Sequence, residues 1–273
     1  LVGAHAVIWT TTPWTIPVNQ ALAYGPEVEY VVVGLAAETA GSTHQREVNR
    51  RLKEAGLGFE GIRVLVAKEL LPAFLARVNA AASSVDLGDL GLGKAEYYSF
   101  DFAADGERSE FKGSDLAGTI ARHPMHALGG FFARPRPFLA GDFVTTDSGT
   151  GLVHMSPDHG EDDFDLCKAN GIDPVFAVEG DGKYREDWGW LGGQGSVINP
   201  KFNAPDGPIC TDLREAGALL AASADYKHSY PHSWRSKAKV IYRCTPQWFV
   251  PMDKVMTHIE PKAPREQRWE SEG

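Results

Sequence analysis

His5-Ala6-Val7-Ile8-Trp9-Thr10-Thr11-Thr12-Pro13-Trp14-Thr15 decides how the rest of this chain is read. Its β-branched and aromatic residues predict a strand over residues 4–10. Pro13 has a fixed φ and no N–H to donate, so the ladder stops there and the backbone turns. Thr10, Thr11 and Thr12 therefore bring three hydroxyls, each a donor and an acceptor, to a strand end. The plainer alternative is an edge strand whose threonines serve strand propensity alone.

A second stretch, Gly149-Thr150-Gly151-Leu152-Val153-His154, reads as a glycine-hinged turn into a strand over Leu152 to Met155. A helix follows from about His159, with Glu161, Asp162 and Asp163 at its start and Asn170-Gly171 as its stop signal. Asp163 falls in the first turn, where the helix dipole favours a carboxylate. Ionised, it can hold a substrate ammonium through a charge-assisted hydrogen bond, or it is an ordinary helix-start acid. His154 is open to three readings: general base, pocket wall or metal ligand. The set His154, Asp158, His159, Asp162 and Asp163 has neither His-Glu-x-x-His nor EF-hand spacing, which weakens the metal reading. Together the two stretches suggest a pocket that positions a water and an amino-bearing ester without covalent attack.

Further strands are expected over 28–34 and 62–67, near 118–121, at 131–132, over 142–145, and at 240–242 and 248–250. Residues 19–26 read as a connection. Helices are expected over 45–56, 69–81 and 212–222. Residues 83–115 are glycine-rich and carry no clear pattern. Many short strands with helices between them predict an α+β fold built on a small closed β-barrel decorated with helices. No glycine-flanked serine elbow, phosphate loop or dinucleotide fingerprint is present.

The 273 residues are 43% apolar, enough for a substantial core. No apolar run approaches the ~20 residues that span a bilayer, and no membrane association is expected. Leu1-Val2-Gly3 has no basic leader pattern, and the missing initial Met predicts a piece of a longer protein. Cys167, Cys210 and Cys244 lie too far apart for a Cys-x-x-Cys site and fit a reducing, cytoplasmic setting. Net charge is −9, which argues against broad nucleic-acid binding. Yet no acid occurs from Tyr226 to Phe249, where Lys227, Arg235, Lys237, Lys239 and Arg243 gather, so one RNA end remains a possible partner.

These motifs, in this order, resemble the editing domain (the connective peptide) of class I aminoacyl-tRNA synthetases, and its isoleucyl branch most. Tyr230-Pro231-His232-Ser233-Trp234-Arg235 and Tyr242-Arg243-Cys244-Thr245-Pro246-Gln247-Trp248-Phe249 resemble the isoleucyl segment that returns to the catalytic core. Valyl and leucyl relatives usually carry an Arg and an acid where Thr12 and Trp14 stand here. Ser156 replaces a usual Ala, and Asp158 a usual Gly.

The resemblance implies an inserted domain, residues 1–225, followed by a return segment, 226–273. It implies hydrolysis of Val-tRNA(Ile), and of valyl-adenylate, formed in error. Thr10, Thr11 and Thr12 would place the ester, the terminal adenosine and the water, and Asp163 would hold the ammonium. Trp14 and His154 would line the side-chain pocket, with Gly149, Thr150, Gly151, Ser156 and His159 completing the substrate-binding set. No cofactor and no metal is implied. The partners would be the 3′ CCA end of tRNA(Ile) and the parent's catalytic core, with a monomer as the default. The chain lacks His-Ile-Gly-His and Lys-Met-Ser-Lys-Ser, so no amino-acid activation is expected. Two other classes stay open: a CCA-end binding module without hydrolysis, and a metal-dependent hydrolase.

Overall fold

Glu29-Tyr30-Val31-Val32-Val33-Gly34-Leu35 is apolar at nearly every position because the strand it forms is covered on both faces. The computed structural model describes residues 1–38, 45–54, 61–82, 99–102, 109–248, 250 and 252. In chain order its elements are β1 (Ala4–Ala6), β2 (Ala21–Tyr24), β3 (Glu29–Glu38), α1 (Gln45–Glu54), β4 (Arg63–Ala67), α2 (Leu71–Ala82) and β5 (Ser99–Phe102). Then come β6 (Ser109–Lys112), β7 (Ile120–Ala121), α3 (Gly130–Ala133), β8 (Arg136–Ala140), β9 (Leu152–Met155), α4 (Glu161–Ala169) and α5 (Pro208–Glu215).

Two mixed sheets result. The first runs β1-β4-β3, and β5 and β6 both pair with β3. β1 and β4 are parallel, and β3 is antiparallel to β4, β5 and β6. The second runs β7-β8-β2-β9, with β2 and β8 parallel and β2 and β9 antiparallel. Alternation sorts the side chains. Val31, Val33, Val64 and Val66 face outward, against Leu71, Phe74 and Val78 of α2 and Leu52 of α1. Tyr30, Val32 and Leu65 face inward, against Leu22, Tyr24, Phe138 and Leu152 of the second sheet. Each such valine contributes about 1.5–3 kcal/mol relative to leaving it in water. On the far side of the second sheet, Ala21, Ala23 and Met155 pack on Cys167 of α4.

The fold is α+β, but it is not a closed barrel. Both sheets end, and they meet through isolated bonds such as Ala67 N–H to Thr150 O at 2.8 Å. The first expected strand explains this. It ends at Ala6 because Val7 makes one last bond to Leu65 O, after which the threonine turn begins and nothing carries the ladder on.

Other expectations need correction. Residues 19–26 contain β2, a central strand, although Ala21-Leu22-Ala23-Tyr24 has no β-branched residue; small alanines are what fit beneath α4. Phe131 and Phe132 lie in the helical turn α3, entered through Gly129 and Gly130 at positive φ, with Phe132 buried among Trp188 and Trp190. Residues 142–145 form no strand. The strand is β8 instead, and it tolerates Pro137 because that residue lies beyond the β2 pairing, which starts at Phe138. The helix expected over 212–222 starts at Pro208, in its first turn, and stops before Gly217 at φ 68. Residues 240–242 make no strand; an isolated bridge pairs His232 with Lys239 just before them. Of the strand expected at 248–250, residues 248 and 250 take no strand and Phe249 lies outside the described residues, as do much of 83–115 and Gly56.

Candidate functional site

The threonine turn is held by its own backbone. Thr12 N–H donates to Thr10 Oγ1 at 3.0 Å, and the two side-chain oxygens lie 3.2 Å apart. Thr11 is exposed. Pro13 starts a 3-10 turn through Val18, and Thr15 donates both its N–H and its hydroxyl to Thr12 O, at 3.0 and 2.9 Å. Thr10, Thr11, Thr12, Trp14 and His154 come together along an open cleft of about 2190 Å³.

Thr15 also meets His154, with Oγ1 and Nε2 3.0 Å apart. A threonine hydroxyl carries one proton, and here it goes to Thr12 O. The Nε2–H of His154 is therefore the donor to Thr15, and Nδ1 carries the lone pair. Nδ1 is buried without a partner among the described residues. Burial lowers His154 to about 4, so the ring is neutral near pH 7.

Behind this wall stands Asp163. Its Oδ2 accepts the Ser156 N–H at 2.7 Å, and the Ser156 hydroxyl donates to Thr15 O at 2.8 Å. One hydrogen-bonded path thus runs from Asp163 through Ser156 to Thr15, and from there to both Thr12 and His154. Burial pushes Asp163 up to about 6, against the Ser156 N–H that lowers it, so the group is mostly ionised at pH 7. Asp163, Ser156 and His159 do not line the cleft. His159 donates Nδ1–H to Tyr242 O at 2.8 Å and meets the Trp14 ring edge-on at 4.7 Å; burial lowers its pKa. Trp14 is itself buried, its indole bonded to the Tyr230 hydroxyl and its carbonyl to the Tyr184 hydroxyl.

The glycine turn shapes the fold around the site. Thr150 is buried and donates to Val7 O at 2.6 Å, and Tyr30 donates to Gly151 O at 2.6 Å. Gly149 and Gly151 sit at φ 83 and 76, and a Cβ on Gly151 would lie 2.3 Å from the Ala67 Cβ.

Sequence reasoning passed over Thr15, although it lies in the quoted motif; its bonding to His154, distant by 139 positions, leaves no sequence signal. It also passed over His123, a buried histidine satisfied on both sides by Ile16 O and Met125 N–H and lowered to about 4 by burial. Asp158 is no pocket residue. It is buried, and its carboxylate accepts the N–H groups of Val175 and Phe176. Among the described residues no three His, Cys, Asp or Glu side chains gather as a metal-holding group.

The cleft reverses the charge of the whole. Among the described residues Arg77, Arg122, Arg136, Lys227 and Lys239 line it, against the single carboxylate Asp225. Arg136 is buried, its guanidinium bonded to the Arg134 and Phe131 carbonyls, and burial lowers it to about 10. No described helix is long and apolar enough to cross a membrane.

No protein-family model matches the chain. Relatives do. An isoleucine–tRNA ligase from Zymomonas mobilis is 54% identical over 93% of this chain, those from Gluconobacter oxydans and Caulobacter vibrioides 39% and 36% identical over 92% and 97%. A solved GlLeuRS-CP1 structure overlaps 61% of this chain and 44% of its own at 18% identity and a TM-score of 0.37, too loose to argue from. The chain is thus homologous to aminoacyl-tRNA ligases. Among them it corresponds to a segment of the isoleucine enzymes, spanning 22–24% of the length of these three relatives.

Proposed function

We propose that the chain is a hydrolytic editing domain that cleaves the ester of Val-tRNA(Ile), and valyl-adenylate with it. The observation that carries this is the path from Asp163 through Ser156 and Thr15 to the threonine turn and His154, which opens on a cleft that is cationic in an acidic chain. The need for a second site is physical. A pocket shaped for isoleucine cannot strongly reject a ligand one methylene smaller, the isoleucine enzymes being the standard illustration of that limit.

In this reading the cationic cleft attracts the phosphates of the CCA end. The Thr10, Thr11 and Thr12 hydroxyls hold the terminal sugar, the ester carbonyl and a water. Asp163, which stands behind the cleft wall, binds the α-ammonium through its Oδ1, free of hydrogen bonds from the described residues, once the entering substrate displaces that wall. His154 closes the side-chain pocket against isoleucine. With a pKa near 4 it is a weak base at pH 7, so the step relies on positioning, and a ribose hydroxyl of the substrate helps activate the water. Water adds to the ester carbonyl, the C–O bond to the ribose breaks, and the ribose oxygen leaves with a proton. Residues 1–225 carry this activity, and 226–273 return toward a catalytic core.

The test is release of amino acid from Val-tRNA(Ile) and Ile-tRNA(Ile). Selective loss of valine, unaffected by EDTA, is expected. Release of neither would leave an RNA-end binding module, and loss in EDTA would favour metal-dependent hydrolysis.

A further inference from the structure

Tyr226, His228, Tyr230 and His232 alternate along an extended leg of the chain, which puts all four rings on one side. Successive ring centroids lie 5.8, 6.1 and 6.3 Å apart, and Tyr226 meets Trp9 edge-on at 4.8 Å. Five rings therefore run in file along the threonine cleft, with Trp9, Tyr226, His228 and Tyr230 in its lining and the Tyr230 hydroxyl bonded to the Trp14 indole. The chain then doubles back: Ser233 N–H donates to Ala238 O and Val240 N–H to Pro231 O, with Lys237 in the left-handed region at φ 59.

Cations accompany the rings. The Lys239 ammonium lies 5.3 Å from the Tyr230 ring, Arg235 5.1 Å from Trp234 at the tip, and Arg77 5.2 Å from Trp9. Tyr226 is 50% exposed and Trp234 77%. The hairpin carries no acid on a chain of charge −9, and its Tyr226 and Trp234 present large ring faces to water in this chain.

We propose that this hairpin is a stacking track for single-stranded RNA, leading a 3′ strand into the cleft. The choice of RNA rests on the editing reading above; the rings and charges themselves are facts of this surface. Every base has a π face, so stacking on the outward faces of Tyr226, His228 and Trp234 is tolerant of sequence. The rings stand too close to one another for a base to enter between them. Lys227, Arg235, Lys237 and Lys239 supply partners for phosphates. A duplex, whose base faces are already stacked, gains only the charge.

The test is fluorescence anisotropy of an unesterified, labelled RNA octamer, single-stranded or in a duplex of equal length, with the 273-residue chain. We expect the single strand to bind more tightly than the duplex. The pair Tyr226→Ala with His228→Ala should weaken it at least about tenfold, while Tyr226→Trp retains it. The exposed pair Lys237→Glu with Lys239→Glu should weaken binding and flatten the slope of log affinity against log salt by about 1.4, about 0.7 for each phosphate. Circular dichroism checks folding, and the lysine pair carries the test if the alanine pair unfolds. Wild-type affinity in a folded variant of either pair overturns the track, as does equal affinity for the duplex. Because the RNA carries no ester, the two proposals separate. Valine release with unchanged RNA affinity across the variants removes the track alone. Ring-dependent binding in a chain that never releases valine removes the hydrolase alone.

Discussion

Thr15 and His154 fix each other's protons. The threonine hydroxyl is committed to Thr12 O, so the imidazole must donate from Nε2 and keep its Nδ1 lone pair, which is buried without a partner among the described residues. Thr15→Val keeps the shape of the side chain and removes both bonds. The expected result is a mixed His154 tautomer, seen in long-range nitrogen–proton spectra of the ring, with a stability loss of about 1–2 kcal/mol. Valine release should fall roughly fivefold or more, and Thr15→Ser should restore both readouts. An unchanged tautomer in Thr15→Val would show that the threonine does not set it.

Asp163 and the buried histidines pull stability in opposite directions over the same pH range. A carboxylate raised to about 6 stays protonated in the folded chain while the unfolded chain ionises near 4, so its contribution shrinks as pH rises from 4 to 6. His123 and His154, lowered to about 4, resist protonation, so their contribution is lost as pH falls from about 6.5 toward 4. Asp163→Asn removes the first term and leaves the second. Its stability should therefore fall more steeply with acid than that of the unsubstituted chain, by on the order of 2 kcal/mol between pH 6 and 4 in urea titrations. Its valine release at pH 7.5 should drop at least about tenfold if the carboxylate holds the ammonium. In the unsubstituted chain, release should rise as pH passes 6.

Gly149 and Gly151 share a left-handed backbone but not their surroundings. A Cβ at Gly149 would meet Trp9 at an ordinary 3.6 Å, whereas one at Gly151 would press into Ala67 at 2.3 Å. Gly149→Ala should cost about 1 kcal/mol, the backbone term alone. Gly151→Ala adds overpacking and should cost roughly 2–4 kcal/mol. Thermal melts of the two, side by side, check this; equal losses would show that the sheet junction yields.

How much of this was open to sequence reasoning depends on where each residue draws its energy. β3 and β4 are legible because β-branched residues covered on both faces leave a continuous apolar run. β2 is not, because Ala21-Leu22-Ala23-Tyr24 owes its place to neighbours more than a hundred positions away. The threonine and glycine turns are legible as turns, since Pro13, Gly149 and Gly151 act locally. Sheet closure is not, because it turns on whether bonds continue past Val7 and Thr150. The site divides the same way: Thr10, Thr11, Thr12, Trp14 and His154 do meet at one cleft, whereas Asp163, Ser156 and His159 stand behind it, Gly149, Thr150 and Gly151 do not line it, and the part of Thr15 needs a partner that spacing does not reveal.

Asp158 tests whether a residue beside the site belongs to it. Its carboxylate takes the Val175 and Phe176 N–H groups, its carbonyl takes the Cys244 N–H at 2.9 Å, and Phe176 is held at φ 51, where non-glycine residues are strained. Asp158→Ala would leave two amides without their acceptor and free a strained loop. The expected loss is about 2–4 kcal/mol in chemical denaturation. The ratio of valine to isoleucine release should stay unchanged at temperatures where the variant is folded, because no Asp158 atom lines the cleft. A shift in that ratio without a loss of stability would place Asp158 in the specificity pocket instead, and would mean that the cleft reaches deeper than its present lining.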